Sequence, residues 1–172
     1  NRGVSQLVNH LRVAHPKTDI DIIAKAYHDF DLDDLLLSGE SAFQFGCEAD
    51  YNVYSGDPNP MPDPVSTLRT CGGHVHLGWA GGGKDTEKQQ QVIKCLDLLL
   101  GIPSVLIDID NKQRQEKYGK AGAYRPKPYG VEYRVLSNFW LNHDAYIGWV
   151  WDQAVKAVTE VEYLDMYLGY FN

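Results

Sequence analysis

Cysteine is scarce. Cys47, Cys71 and Cys95 are the three in 172 residues, too few and too scattered for a disulfide framework or a zinc knuckle. Reduced, structural thiols in a cytoplasm are therefore expected. No stretch approaches the roughly 18 consecutive apolar residues that cross a bilayer, so no membrane partner is expected. No basic segment followed by an apolar one opens the sequence. Cations are in deficit: 16 Lys and Arg face 23 Asp and Glu, for a net charge of −7. That balance speaks against general nucleic-acid binding, which needs clustered cations against phosphates. It leaves a nucleotide site open, because Mg²⁺ bridges carboxylates to phosphates. Three catalytic signatures are missing. Gly81-Gly82-Gly83-Lys84 has neither the spacing nor the Lys-Ser/Thr ending of a P-loop, and no helical His-Glu-x-x-His or Gly-x-Ser-x-Gly occurs.

What is present is an ordinary globular composition, 44% hydrophobic and 23% charged, long enough for one domain with its own core. The sequence starts at Asn1 inside an amphipathic segment, so 1–172 is read as a single domain and as the carboxy-terminal part of a longer chain. Apolar residues at Val4, Leu7, Val8, Leu11 and Ala14 predict a helix that ends at His15-Pro16. Thr18 or Asp19 is expected to cap a second helix through about Tyr27. Phe43–Tyr54, Thr70–Trp79 and Val131–Leu136 read as strands. Asp85 or Thr86 is expected to cap a helix to about Leu100, ended by Gly101, with Pro103 opening another to about Lys117. Gly119–Pro128, rich in Gly, Pro and basic residues, reads as a loop. Asn142 is expected to cap a last helix to about Leu168. The mixture predicts an α+β fold, a sheet with helices packed on one face.

Three predicted strands each carry functional side chains at i and i+2: Glu48 with Asp50, His74 with His76, and Glu132 with Arg134. Side chains two apart on a strand share a face. If the strands are neighbours, one face collects carboxylates, imidazoles and a guanidinium, which is costly to desolvate without ions or an anionic ligand. Carboxylates together with a histidine suit Mg²⁺ or Mn²⁺. Gly72, Gly73 and Gly78 allow close approach of backbone or ligand. The basic stretch supplies Arg114, Lys117, Lys120, Arg125 and Lys127, and such a segment beside a metal face suits phosphate neutralisation. Of these, Arg114, Lys120 and Arg125 are the candidate nucleotide contacts. Asp108 and Asp110 read as structural.

Phe45–Asn52, Arg69-Thr-Cys-Gly-Gly-His-Val-His76 and Tyr124-Arg-Pro-Lys-Pro-Tyr-Gly-Val-Glu-Tyr-Arg134 resemble the phage-encoded carboxylate–amine ligases of the phiEco32-like type. Those enzymes are distant relatives of glutamine synthetase and glutamate–cysteine ligase. The resemblance covers roughly Phe43 to Trp140. It implies a glutamine-synthetase-like catalytic fold with a curved, mainly antiparallel sheet. It also implies ATP and Mg²⁺ or Mn²⁺ as cofactors, a host cytoplasm as the setting, and an amide or peptide bond made through an acyl-phosphate. The substrates implied are a carboxylate and an amine, borne by an amino acid, a peptide or a protein terminus; a homo-oligomer is compatible. His74 and Glu132 would then hold metal, with Glu48 and Asp50, while His76, Arg125 and Arg134 act on phosphate or substrate carboxylate as the catalytic set. Two departures stand out. Gly130 occupies the first Arg position of the Arg-x-Glu-x-Arg pattern, and the amino-terminal strand with paired acidic ligands is missing before Glu48. Two other readings stay open at this point: a metal-dependent hydrolase using the His and carboxylate groups, and a non-catalytic phage virion or assembly protein that kept the fold.

Overall fold

The computed structural model describes residues 2–19, 23, 25–44, 50–61 and 66–163. Its heart is a four-stranded antiparallel sheet in the order β2–β5–β6–β4: β2 is Tyr51–Asn52, β4 Val75–Gly78, β5 Ala123–Lys127 and β6 Gly130–Tyr133. β1 (Tyr27–Asp29) and β3 (Leu68–Thr70) make a separate two-stranded ribbon. The helices pack on one face of the larger sheet, as the α+β expectation required.

α1 (Arg2–Ala14) forms where the apolar spacing placed it. The expected helix after Thr18 does not reach Tyr27, which starts β1 and pairs with Thr70. Asp31 caps α2 (Leu32–Leu37) by accepting the Asp33 N–H at 2.8 Å. Of the strand expected over Phe43–Tyr54, residues 45–49 lie outside the described residues; Phe43 ends a 3-10 turn and Tyr51–Asn52 is extended. The strand expected over Thr70–Trp79 is two strands, broken where Gly72 bridges to Ser137. A side chain at Gly73 would put its Cβ 2.3 Å from Trp140 Nε1 and 2.4 Å from the Ser137 carbonyl, so the close crossing needs glycine.

Asp85 caps α3 (Thr86–Leu96) by accepting the Lys88 N–H at 3.0 Å. Gly101 does not end this helix. A π-helical turn over Asp97–Gly101 carries it into α4 (Ile102–Ile107), where Pro103 sits in the first turn. The wider turn accommodates the proline ring, which would clash with the carbonyl four residues back in a regular α-helix. The resulting rod, Thr86–Ile107, is 22 residues long and by composition apolar enough to cross a membrane. Its part up to Leu100 lies in the core, where Val92, Ile93, Leu96 and Leu100 are wholly buried, whereas Ile102, Val105 and Leu106 of α4 are exposed. The buried four pack with Val131 and Tyr133 of the sheet and with Val150, Ala154 and Ala157 of α6 (Asp144–Thr159). α6 is capped by His143 rather than Asn142 and ends at Thr159, short of Leu168. α5 (Lys112–Lys117) closes the helical set before β5.

One carboxylate, Asp97, is buried in this core. It accepts hydrogen bonds from Tyr133 Oη at 2.7 Å and Tyr54 Oη at 2.9 Å, tying the helix rod to the sheet. Burial pushes its carboxyl above the ordinary range, against the pull of bonds from Tyr133, Tyr54 and the Gly122 backbone.

The expected loop over Gly119–Pro128 is the main error of secondary structure, because Ala123–Lys127 is β5. Pro126 lies beyond the end of β2, which pairs only with Ala123 and Tyr124. There its missing N–H costs no bond to β2.

Candidate active site

The β5–β6 hairpin and β4 build the site. Their register places Arg125, Glu132 and His76 in one cross-strand row. Lys127 and Gly130 lie in the next row, and Arg134 donates its N–H to the Ala123 carbonyl at 3.0 Å on the other side. The period of two sends Tyr124, Tyr133 and Val75 to the opposite face, against the helices. The polar pairs read from His74/His76 and Glu132/Arg134 therefore do share one sheet face.

Glu132 is the hub and is 4% exposed. Its carboxylate meets Lys127 Nζ at 2.9 Å, His74 Nδ1 at 3.0 Å, Arg125 Nη1 at 3.6 Å and Arg134 Nη1. Burial would raise its pKa, but the Lys127 hydrogen bond and the charges of Lys127 and Arg125, with His74, outweigh that and hold it below the usual range. Arg134 is held from a second side, its Nε donating to Asp50 Oδ2 at 2.9 Å. Asn59 Nδ2 donates to the other oxygen of Asp50 at 2.8 Å.

His74 is pushed down to about 4, first by burial and then by the neighbouring Arg134 charge. The ring is therefore neutral near pH 7. With Nδ1 donating to Glu132, Nε2 is left as an acceptor. Nε2 is buried without a hydrogen-bond partner among the described residues, and so are Arg134 Nη2 and Tyr118 Oη. Tyr118 lies beside both, its ring centroid 6.2 Å from that of His74 and 5.2 Å from Arg134 Cζ. Gly72 makes room for the imidazole, since a Cβ there would come within 2.6 Å of Nε2. His76 is exposed, and its Nδ1 lies 2.6 Å from Tyr129 Oη in the hairpin turn. Tyr118 and Tyr129, interleaved in sequence with the glycines and cations of the basic stretch but given no role from it, lie at the site.

The family model for phage phiEco32-like COOH.NH2 ligase-type 2 matches residues 63–166. The chain belongs to this ligase family. No curated protein and no solved structure matches it. The matched span takes in His74, His76, Arg125, Glu132 and Arg134; Asp50 precedes it.

Not every expected residue joins the ligase's site. Glu48 lies outside the described residues. Arg114, expected as a nucleotide contact, is committed to the main chain instead. It is fully buried, and its guanidinium donates to the carbonyls of Val135 at 2.7 Å, Leu136 at 2.9 Å and Arg134 at 3.3 Å. β5 begins at Ala123, opposite Arg134, so it does not run alongside Val135 and Leu136, and Arg114 supplies donors there in its place. Lys120 is exposed on the turn before β5, and its carbonyl accepts the Ala123 N–H. Asp108 is structural as expected, accepting from Ser137 Oγ at 2.5 Å.

The expected metal ligands fare differently from the phosphate groups. Among the described residues, no group of three His, Cys, Asp or Glu side chains could hold a metal ion. Among the described residues, both carboxylates at the site already face cations or amide donors, and three cations (Arg125, Lys127, Arg134) stand against these two (Glu132, Asp50). The described donor set thus fits an anion and does not by itself fit a bare divalent cation.

Proposed function

We propose that this ligase joins a carboxylate to an amine through an acyl-phosphate made from ATP, on a glutamine-synthetase-like fold formed by the whole of 1–172. The observation that supports this is that, among the described residues, Arg125, Lys127 and Arg134 stand on one sheet face against Glu132 and Asp50, and Arg134 Nη2 has no hydrogen-bond partner. An oxyanion is the ligand class such a face stabilises. In the first step a carboxylate oxygen of the substrate attacks the γ-phosphorus, a P–O bond forms and ADP departs. Arg125 and Lys127 offset the charge on the transferring phosphoryl group, and Arg134 presents Nη2 to an oxygen of the same group or of the carboxylate. In the second step the amine attacks the acyl carbon, the acyl C–O bond to phosphate breaks, and the departing phosphate carries away the amine's proton. His74 Nε2, neutral and a hydrogen-bond acceptor, orients that N–H. Glu132 and Asp50 hold the guanidinium and imidazole in place. Mg²⁺ or Mn²⁺ is proposed as the companion of the nucleotide phosphates, and no step here is assigned to it.

The test is ADP release measured with each common amino acid as carboxylate donor, with hydroxylamine trapping the activated acyl group as a hydroxamate. Hydroxamate formation that requires ATP, and that falls at least about 100-fold in Lys127→Ala and Arg125→Ala, is the expected result. ATP-independent turnover, or variants as active as the parent chain, would overturn the proposal.

A further inference from the structure

The Gly81-Gly82-Gly83-Lys84 run, which is not a P-loop, has a structural place beside the site. It forms the turn after β4 and lies against Pro128-Tyr129, the two-residue turn that joins β5 to β6. The Trp79 N–H donates to the Tyr129 carbonyl at 3.1 Å. Gln89 Nε2, buried in α3, donates to the Gly82 carbonyl at 2.5 Å and holds the glycine turn from the helix side. Gly82 and Gly83 come so close to the carbonyls of Tyr129 and Pro128 that a Cβ at either would collide with them. Two turns distant in sequence are thus locked main chain to main chain. The lock fixes where Tyr129 stands. A Cβ at Gly78 would be 3.5 Å from the Tyr129 ring, so this glycine leaves the ring its place two residues along from His76.

From there the Tyr129 hydroxyl reaches His76 Nδ1 at 2.6 Å. That is shorter than an N–H donor usually makes (about 2.7–3.2 Å) and within the reach of a hydroxyl donor (about 2.5–3.0 Å). The imidazole nitrogen is also the more basic of the two acceptors. The phenol therefore donates and Nδ1 accepts. A neutral imidazole with Nδ1 as acceptor carries its proton on Nε2. His76 is exposed, and an exposed ring without such a bond would turn between rotamers. In register His76 stands beside Glu132, with Arg125 on that residue's other side.

We propose that Tyr129 is a positioning residue for phosphoryl transfer: held by the glycine turn, it fixes His76 as an Nε2–H donor to an oxygen of the polyphosphate chain that Arg125 and Lys127 neutralise. Tyr129 touches no reacting atom and acts through His76. The role rests on the ATP-ligase reading, whereas the placement of the proton can be measured without nucleotide.

Imidazole ¹⁵N–¹H correlations of the ¹⁵N-labelled full chain at pH 8.5 are the test. In the parent, His76 is expected with Nδ1 bare and Nε2 protonated. An Nδ1-protonated population is expected in Tyr129→Phe, which removes only the hydroxyl, and in Gly82→Ala, which displaces the turn. Nδ1–H in the parent, or an unchanged tautomer in Tyr129→Phe, overturns the proposal. Inorganic triphosphate is then titrated in, and His76 Nε2 should respond with an affinity about tenfold weaker in Tyr129→Phe. No response at His76, or equal affinities, overturns it. In kinetics, Tyr129→Phe should lower kcat for ADP release about tenfold, and the Tyr129→Phe, His76→Ala double variant should lose no more than His76→Ala alone. Losses that multiply would make Tyr129 independent of His76 and overturn the proposal. A parent chain that releases no ADP would instead count against the ligase reading, and the tautomer and triphosphate measurements would still decide the role of Tyr129.

Discussion

Replacing Arg114 by lysine separates a structural arginine from a phosphate-binding one. The guanidinium reaches three main-chain carbonyls at 2.7, 2.9 and 3.3 Å from a wholly buried position. An ammonium is a point donor and cannot span all three. At least two charge-assisted bonds would be lost, each worth about 1.5–2 kcal/mol in such a setting, so about 3–4 kcal/mol in all. A chain of this length shifts its Tm by about 2–4 °C per kcal/mol, so a drop of roughly 6–16 °C is expected. Urea unfolding followed by tryptophan fluorescence gives the free energy, and a thermal scan gives Tm. At a temperature where the variant is folded, its affinity for ATP should match the parent's. Parental stability combined with weakened nucleotide binding would refute the reasoning and return Arg114 to the phosphate site.

Arg134→Lys should lower kcat/KM for ligation by about 100-fold, because the Nε bond to Asp50 and the unpartnered Nη2 cannot both be reproduced by an ammonium; steady-state kinetics on folded protein checks it. Gly73→Ala should destabilise the chain by about 1–3 kcal/mol in chemical denaturation, since its Cβ would collide with the Ser137 carbonyl and Trp140. The third expectation concerns pH. His74 stays neutral in the folded chain down to about 4, whereas an unfolded histidine gains its proton near 6.5. The unfolded state therefore takes up the proton first, so the stability this ring contributes is present above about 6.5 and is lost as pH falls toward 4. The side chain is 26% exposed, so the loss should be about 1–2 kcal/mol after solvent screening. Urea unfolding from pH 8 to pH 4 should show that loss in the parent chain and a smaller one in His74→Asn.

The functional face was legible because its signal is local. His74/His76 and Glu132/Arg134 are spaced by two, and the pleat alone sends each pair to one side. β5 was hidden for a physical reason: its alternation of Ala123, Arg125 and Lys127 is short, carries Pro126 and is flanked by Gly119, Gly122 and Pro128, which are turn residues in isolation. Its strand character comes from pairing with β6, a non-local interaction. The continuation past Gly101 was likewise decided by burial of Leu96 and Leu100 in the core, which offsets the proline's cost through a π-helical turn.

From the amino acids alone came the α+β class, the His74/His76 and Glu132/Arg134 pairs and the ligase family, since residue type, spacing and motif order are properties of the chain itself. Only the tertiary structure decided which cations serve which oxygens. Arg114 and Arg125 are alike in sequence, and they part because one lies beside main-chain carbonyls that β5 does not reach while the other stands in register with Glu132. Electrostatic role is set by distance and burial, and those are fixed only when strands distant in sequence pair.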